Sequence, residues 1–244
     1  MNKGALIACF GILLLLASCV SKKKIVYMQN EVNATTLAYA PVLQPDDVLV
    51  VIVSADNPEV ALPFNLMQPG VTAMEPVSYL IDSSGAIVFP VLGKVMVAGM
   101  TTLQATAHLK EALSKYIQNP IVNLRLQNFK VSVLGEVSQP KTLNVSSERL
   151  TVLEALSQAG DLSVYGNRKN VKIIRETNGI RSVSTIDLTQ SDFMNSPYYY
   201  LQQNDVVYVE PNKTKVNSSM VGPNISAIIA SISLLLTMYA IFFK

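Results

Sequence analysis

Residues 78–126, SYLIDSSGAIVFPVLGKVMVAGMTTLQATAHLKEALSKYIQNPIVNLRL, decide the fold class. Ser78–Asp82 and Ala86–Pro90 are two β-rich runs around a Ser84-Gly85 turn, which is a hairpin signal, and Gly93–Val97 adds a short strand. Thr101 followed by Gln104 is a capping box opening a helix. Leu109, Ala112, Leu113 and Tyr116 then recur at helical spacing until Asn119-Pro120 stops it. Val122, Leu124 and Leu126 alternate with Asn123, Arg125 and Gln127, so a half-buried strand follows. Short strands with one helix across them predict a small mixed sheet.

The same grammar extends outward. Upstream, Asp47–Val53 is a β-branched run after a Pro45-Asp46 turn, and Asn57 to Pro76 reads as a Pro-punctuated loop. Downstream, Lys130–Val137 is a strand. Thr151 with Glu154 is a second capping box, and Gly160 ends that helix. Strands are predicted at Val171–Arg175, Ser182–Asp187 and Asp205–Val209. The expected fold class is therefore α+β: two small mixed α/β domains, 39–127 and 128–212, then a linker 213–222 and a C-terminal transmembrane helix 223–244.

The chain has 244 residues, 50% hydrophobic and only 15% charged, against about 25% in ordinary domains. That composition excludes disorder, and a net charge of +2 offers no basic face for nucleic acid. The excess apolarity sits at the two ends. Lys3, the apolar run Ala5–Ala17 and Leu16-Ala17-Ser18-Cys19 have the anatomy of a secretory signal peptide over 1–18, too short to span a membrane. Cys9 would be removed with it, leaving Cys19 as the mature chain's single thiol, so no disulfide is expected. Leu, two small residues and Cys resemble a bacterial lipobox, which implies lipidation of Cys19. Residues 19–38, with Lys22-Lys23-Lys24, then read as a solvated tether. Val20, by analogy with Gram-negative sorting, implies the outer membrane.

Ile225–Phe243 carries no charge and no Gly and is about 28 Å long as a helix. Ser226, Ala230, Ser233 and Thr237 form one stripe on it. Three readings stay open: hydroxyls bonding back to their own helix, helix–helix packing, or the lining of a wet lumen.

Catalytic signals are missing. His108, the single histidine, flanks the apolar stripe of its helix. Adjacent Asp46-Asp47 would point to opposite faces, and no nucleophile–base pair, metal spacing or phosphate loop is found. No enzyme, cofactor or metal is expected. Tyr198-Tyr199-Tyr200 either stack on sugar rings or fill a loop–core junction.

Several segments, in order, resemble the polysaccharide export proteins of Gram-negative outer membranes, the Wza-type capsule translocons. Pro45-Asp46-Asp47-Val48-Leu49 stands where that family opens its export domain with Pro-Gly-Asp. Tyr79–Gly93 followed by Val95–Thr101 is the most specific stretch. Val131–Val137 with Pro140, Leu150–Gly160 and Leu201–Pro211 resemble the family's soluble-ligand-binding β-grasp domain. Asp46 replaces a family Gly, Lys141 another, and there is a single β-grasp copy. The resemblance implies polysaccharide export through a ring homo-oligomer in the outer membrane, with the bulk of the chain periplasmic. It also implies polysaccharide cargo and an inner-membrane polysaccharide co-polymerase as partner. The alternative is a membrane-anchored glycan- or protein-binding lipoprotein with no pore of its own.

Overall fold

The structure is a computed structural model that describes residues 25–31, 39–177, 179–220 and 224–242. The signal peptide and Cys19 lie outside the described residues.

The first unit contains β1 (Val48–Ser54), β2 (Met67–Pro69), β3 (Met74–Pro76), β4 (Ser78–Leu80), β5 (Ala86–Phe89), β6 (Gly93–Met96), α1 (Thr102–Leu113) and β7 (Ile121–Leu126). Its main sheet runs β4-β1-β7, antiparallel throughout. Period-2 alternation turns Leu49, Val51 and Val53 of β1 inward with Val122 and Leu124 of β7. Thr101 caps α1 with the reciprocal bonds of the capping box, and Ala105, Leu109 and Leu113 carry its buried face. Each such fully buried Leu contributes about 1.5–3 kcal/mol. The β5–β6 hairpin follows a turn organised by Asp82, whose carboxylate accepts from the backbone N–H groups of Ser84 and Ala86. The Asn57–Pro76 stretch is more ordered than a loop: it forms a 3-10 turn over Pro58–Phe64 and the β2–β3 hairpin.

The second unit contains β8 (Lys130–Gly135), β9 (Lys141–Asn144), β10 (Leu150–Thr151), α2 (Val152–Gln158), β11 (Gly166–Thr177), β12 (Ile180–Ile186), β13 (Tyr200–Leu201) and β14 (Val206–Pro211). A five-stranded sheet runs β12-β11-β14-β8-β9, parallel only between β14 and β8. The capping box of Thr151 and Glu154 opens α2, which places Val152, Ala155 and Leu156 in the core. Gly135 is required where β8 closes on β14: its φ is +90°, and a Cβ there would lie 2.1 Å from the Val209 carbonyl oxygen.

Beyond the sheet come α3 (Lys213–Met220) and α4 (Asn224–Phe242). The helix expected at the C-terminus is present, but the expected transmembrane span is not supported. Among the described residues no helix is long and apolar enough to cross a membrane. α4 has 19 described residues, about 28 Å of helix. Five of them, Ser226, Ser231, Ser233, Thr237 and Tyr239, carry hydroxyls.

Residues 25–31 do not behave as a free tether. Met28 N–H donates to the Leu188 carbonyl at 3.1 Å and Gln29 N–H to Thr189 at 2.9 Å. Tyr27 Oη donates to Asp161 Oδ1 at 2.5 Å, and its ring lies 5.2 Å from the Arg168 guanidinium carbon. The chain therefore touches the second unit before it builds the first.

Candidate functional site

A polar and aromatic cluster lies where the two units meet. β7 runs almost directly into β8, and the half-buried Leu126 packs against both cores. Two tight turns face each other across this joint. In the first, Asp46 holds φ +70°, Asp47 N–H donates to the Gln44 carbonyl, and the Asp47 carboxylate accepts from Gln44 N–H at 2.9 Å. In the second, Asn204 holds φ +63°, Asp205 N–H donates to the Gln202 carbonyl, and the Asp205 carboxylate accepts from Gln202 N–H at 2.7 Å. Each turn launches an inner strand, β1 or β14.

Asn128 ties the turns together. Its Oδ1 accepts from Val48 N–H at 2.9 Å and its Nδ2 donates to the Asp46 carbonyl at 3.0 Å. Its own carbonyl accepts from Gln203 Nε2 at 2.9 Å, while Gln203 Oε1 accepts from Lys130 N–H at 2.8 Å.

The electrostatics of the turns differ. Burial pushes the Asp47 carboxyl up to about 6, only partly offset by its backbone hydrogen bond. Burial also raises Asp205, but Arg175 opposes it. Arg175 Nη2 lies 2.6 Å from Asp205 Oδ2, with side chains 8% and 0% exposed. The same guanidinium donates to the Tyr200 carbonyl at 3.0 Å and lies 5.1 Å from the Tyr198 ring centre.

Tyr198, Tyr199 and Tyr200 are thus brought together with this ion pair. Tyr200 stacks on Tyr39 with centroids 5.0 Å apart and meets the edge of Tyr199 at 5.0 Å. Tyr199 also packs on Phe193 at 6.0 Å. Tyr39 Oη donates to the Leu201 carbonyl at 2.8 Å, and burial pushes its hydroxyl up to about 12. These rings are partly buried against neighbours of the same chain. Nothing local in the sequence marked Tyr39, Asn128, Arg175 or Asp205 as their partners.

Two grooves flank the joint and share Arg125, Leu126 and Ser146. One, of about 260 Å³, is bordered by Pro41, Thr102, Phe129 and Glu148. The other, of about 560 Å³, is bordered by Val50, Ile52, Asn123 and Val145. An apolar floor with hydroxyl, amide and guanidinium groups at the rim can contact a polyol without any reacting group. Among the described residues no three His, Cys, Asp or Glu side chains are grouped to hold a metal ion. His108 is exposed on α1.

The C-terminal stripe is distributed differently from the joint. The Ser226 side chain lies outside what is described, and Ala230, Ser233 and Thr237 are exposed. Ser233 Oγ donates to the Ile229 carbonyl at 2.6 Å, and Thr237 Oγ1 to the Ser233 carbonyl at 2.7 Å. These hydroxyls satisfy themselves on their own helix.

Comparison with known proteins agrees with this two-unit arrangement. Residues 36–127 match the polysaccharide biosynthesis/export protein family, and residues 129–209 match the SLBB domain. The chain is 26% identical over 153 residues to the EPS I polysaccharide export outer membrane protein EpsA of Ralstonia solanacearum, covering 60% of this chain and 40% of that protein. The protein of the same name from Ralstonia nicotianae is 26% identical over 141 residues, 53% of this chain and 37% of its own. The chain spans about two fifths of the length of these curated relatives. With an export unit leading directly into an SLBB unit, the chain belongs to the polysaccharide export protein family.

Proposed function

We propose that this protein serves polysaccharide export at the outer membrane, as a non-enzymatic element that holds or guides the polymer. The observation that carries this reading is the collinear pair of matched units, joined by a rigid turn-to-turn contact, in a chain whose relatives are named as outer-membrane export proteins.

On this reading Cys19 is acylated after removal of residues 1–18 and anchors the chain, with the two units in the periplasm. Copies associate head to tail and close into a ring. The open face of the β4-β1-β7 sheet supports association, because Ile52, Leu80 and Ile121 are exposed there. So does α4, whose Ile and Leu side chains from Ile228 to Ile241 are uncovered. Polysaccharide is the cargo, and an inner-membrane co-polymerase delivers it. The groove rims around Arg125 and Ser146, rather than the mutually packed tyrosines, offer the chain's freer polar contacts to sugar hydroxyls.

The test is a deletion strain complemented in trans, scored by surface and secreted polysaccharide. The expected result is loss of surface polymer, restored by the native gene and not by Cys19→Ala. Unchanged polymer in the deletion strain would sink the reading.

A further inference from the structure

Both ends of the folded chain converge on one loop of the second unit. On the N-terminal side, Tyr27 bonds Asp161 and lies over Arg168, while Met28, Gln29 and Asn30 fasten to 188–191 through backbone and side-chain hydrogen bonds. Arg168 is buried and donates to the carbonyls of Leu162, Ser163 and Gly166, so it stiffens the very loop that Tyr27 grips. On the C-terminal side, Asn212 N–H donates to the Tyr165 carbonyl at 2.7 Å and Asn212 Nδ2 to the Val164 carbonyl at 3.3 Å. Asn212 Oδ1 also caps α3 by accepting from Lys215 N–H. Between these attachments stand exposed Val164 and Tyr165, with exposed Lys213 and Lys215 beside them. Lys215 Nζ lies 5.2 Å from the Tyr165 ring centre and 3.8 Å from Glu136, the nearest opposing carboxylate. Exposed Ile25 and Val26 continue the apolar part from the clasp itself.

An aliphatic side chain, a tyrosine and lysines on one surface are what a headgroup region accommodates: the ring sits at the interface and the ammonium groups meet anionic lipid. Chain length supplies the second argument. From Ile25 back to Cys19 is six residues, a reach of at most about 20 Å. An anchor at Cys19 therefore holds the clasp, and with it this loop, close to the lipid. We infer that the surface of Val164, Tyr165, Lys213 and Lys215 rests on an anionic lipid surface, with residues 25–31 as the clasp that brings it there. The inference rests on the acylation of Cys19 proposed above.

The test is hydrogen–deuterium exchange on the full chain, extracted with its native acyl groups. The chain is reconstituted in vesicles of phosphatidylethanolamine with phosphatidylglycerol, and in matched vesicles of phosphatidylcholine. Exchange over 161–166 and 212–216 is expected to slow by about tenfold on the anionic vesicles, while 67–76 is unaffected. Lys213→Gln with Lys215→Gln should erase the difference while exchange over the β11 core strand, 171–175, stays as slow as in the native chain. Equal exchange on both lipids overturns the inference, as does protection on the exposed Met67, Val71 and Met74 of the β2–β3 hairpin, or a mature chain with no acyl mass on Cys19. A deletion strain with normal polysaccharide would sink the export reading and leave this surface standing.

Discussion

The two units begin their inner strands with the same device and support it in opposite ways. Asp47 and Asp205 each follow a residue of positive φ, each accept an N–H from three residues back, and each are almost fully buried. Asp205 meets a buried guanidinium. Asp47 meets backbone N–H, with Asp46 adding repulsion. A buried carboxylate can thus be tolerated either by charge pairing or by a shift toward its neutral form. The first route ties the turn to Arg175 under the tyrosine loop. The second makes a turn whose stability depends on protons.

Breaking the paired turn should have the largest effect. Arg175→Met leaves Asp205 buried without its counter-charge and releases the Tyr198–Tyr200 loop. A loss of about 3–5 kcal/mol in urea unfolding is expected. Adding Asp205→Leu to Arg175→Met should recover most of it, because the cost comes from the orphaned charge rather than from the missing pair.

The unpaired turn should respond in the other direction. Asp47 has its pKa raised to about 6 from 3.8, so the folded state holds its proton longer than the unfolded chain. The contribution of this group is therefore lost as pH rises from about 4 to about 6 and is flat above. Asp47→Asn keeps an oxygen for Gln44 N–H and carries no charge. It should gain about 1–3 kcal/mol over the native chain at pH 7 and almost nothing at pH 4. Melting curves of the two proteins at both pH values measure this. A gap that does not change between them would remove the contrast between the turns.

These two carboxylates also mark what was legible in the sequence. The elements that local chemistry writes were readable: the capping boxes at Thr101 and Thr151, the Ser84-Gly85 turn, the alternation of β7. At Asp46, where the departure from the family Gly implied a different local backbone, the turn geometry is kept instead: φ is +70°, the region a Gly adopts freely. The partners were not readable, because Arg175 lies 30 residues from Asp205 and Tyr27 lies 134 from Asp161. The exposed, three-residue strands β2 and β3 bury no face, so no periodicity announced them. At the C-terminus the helix was legible. The span was read from apolar composition, and among the described residues no helix meets it.

Asn128 tests whether the turns work as a pair. Asn128→Ala removes the acceptor of Val48 N–H and the donor to Asp46, and should cost about 1–2 kcal/mol. Its effect should shrink when combined with Asp47→Asn if the joint couples the turns, and simply add if it does not.

The smallest change sharpens the comparison most finely. Both turns hold a non-glycine residue at positive φ, but Asn tolerates that region better than most side chains, and Asp46 also places a negative charge beside the buried Asp47. Asp46→Gly therefore removes backbone strain and a like charge together, against the entropy that glycine adds to the unfolded chain. The net gain should be up to about 1 kcal/mol at pH 7, with a lowered Asp47 pKa visible by carboxyl-selective NMR. Asn204→Gly has strain alone to relieve, because Asp205 is already held by Arg175. It should change stability by a few tenths of a kcal/mol and leave the carboxyl where it is. If the two glycine variants behaved alike, the backbone rather than the charge would set the difference between the turns.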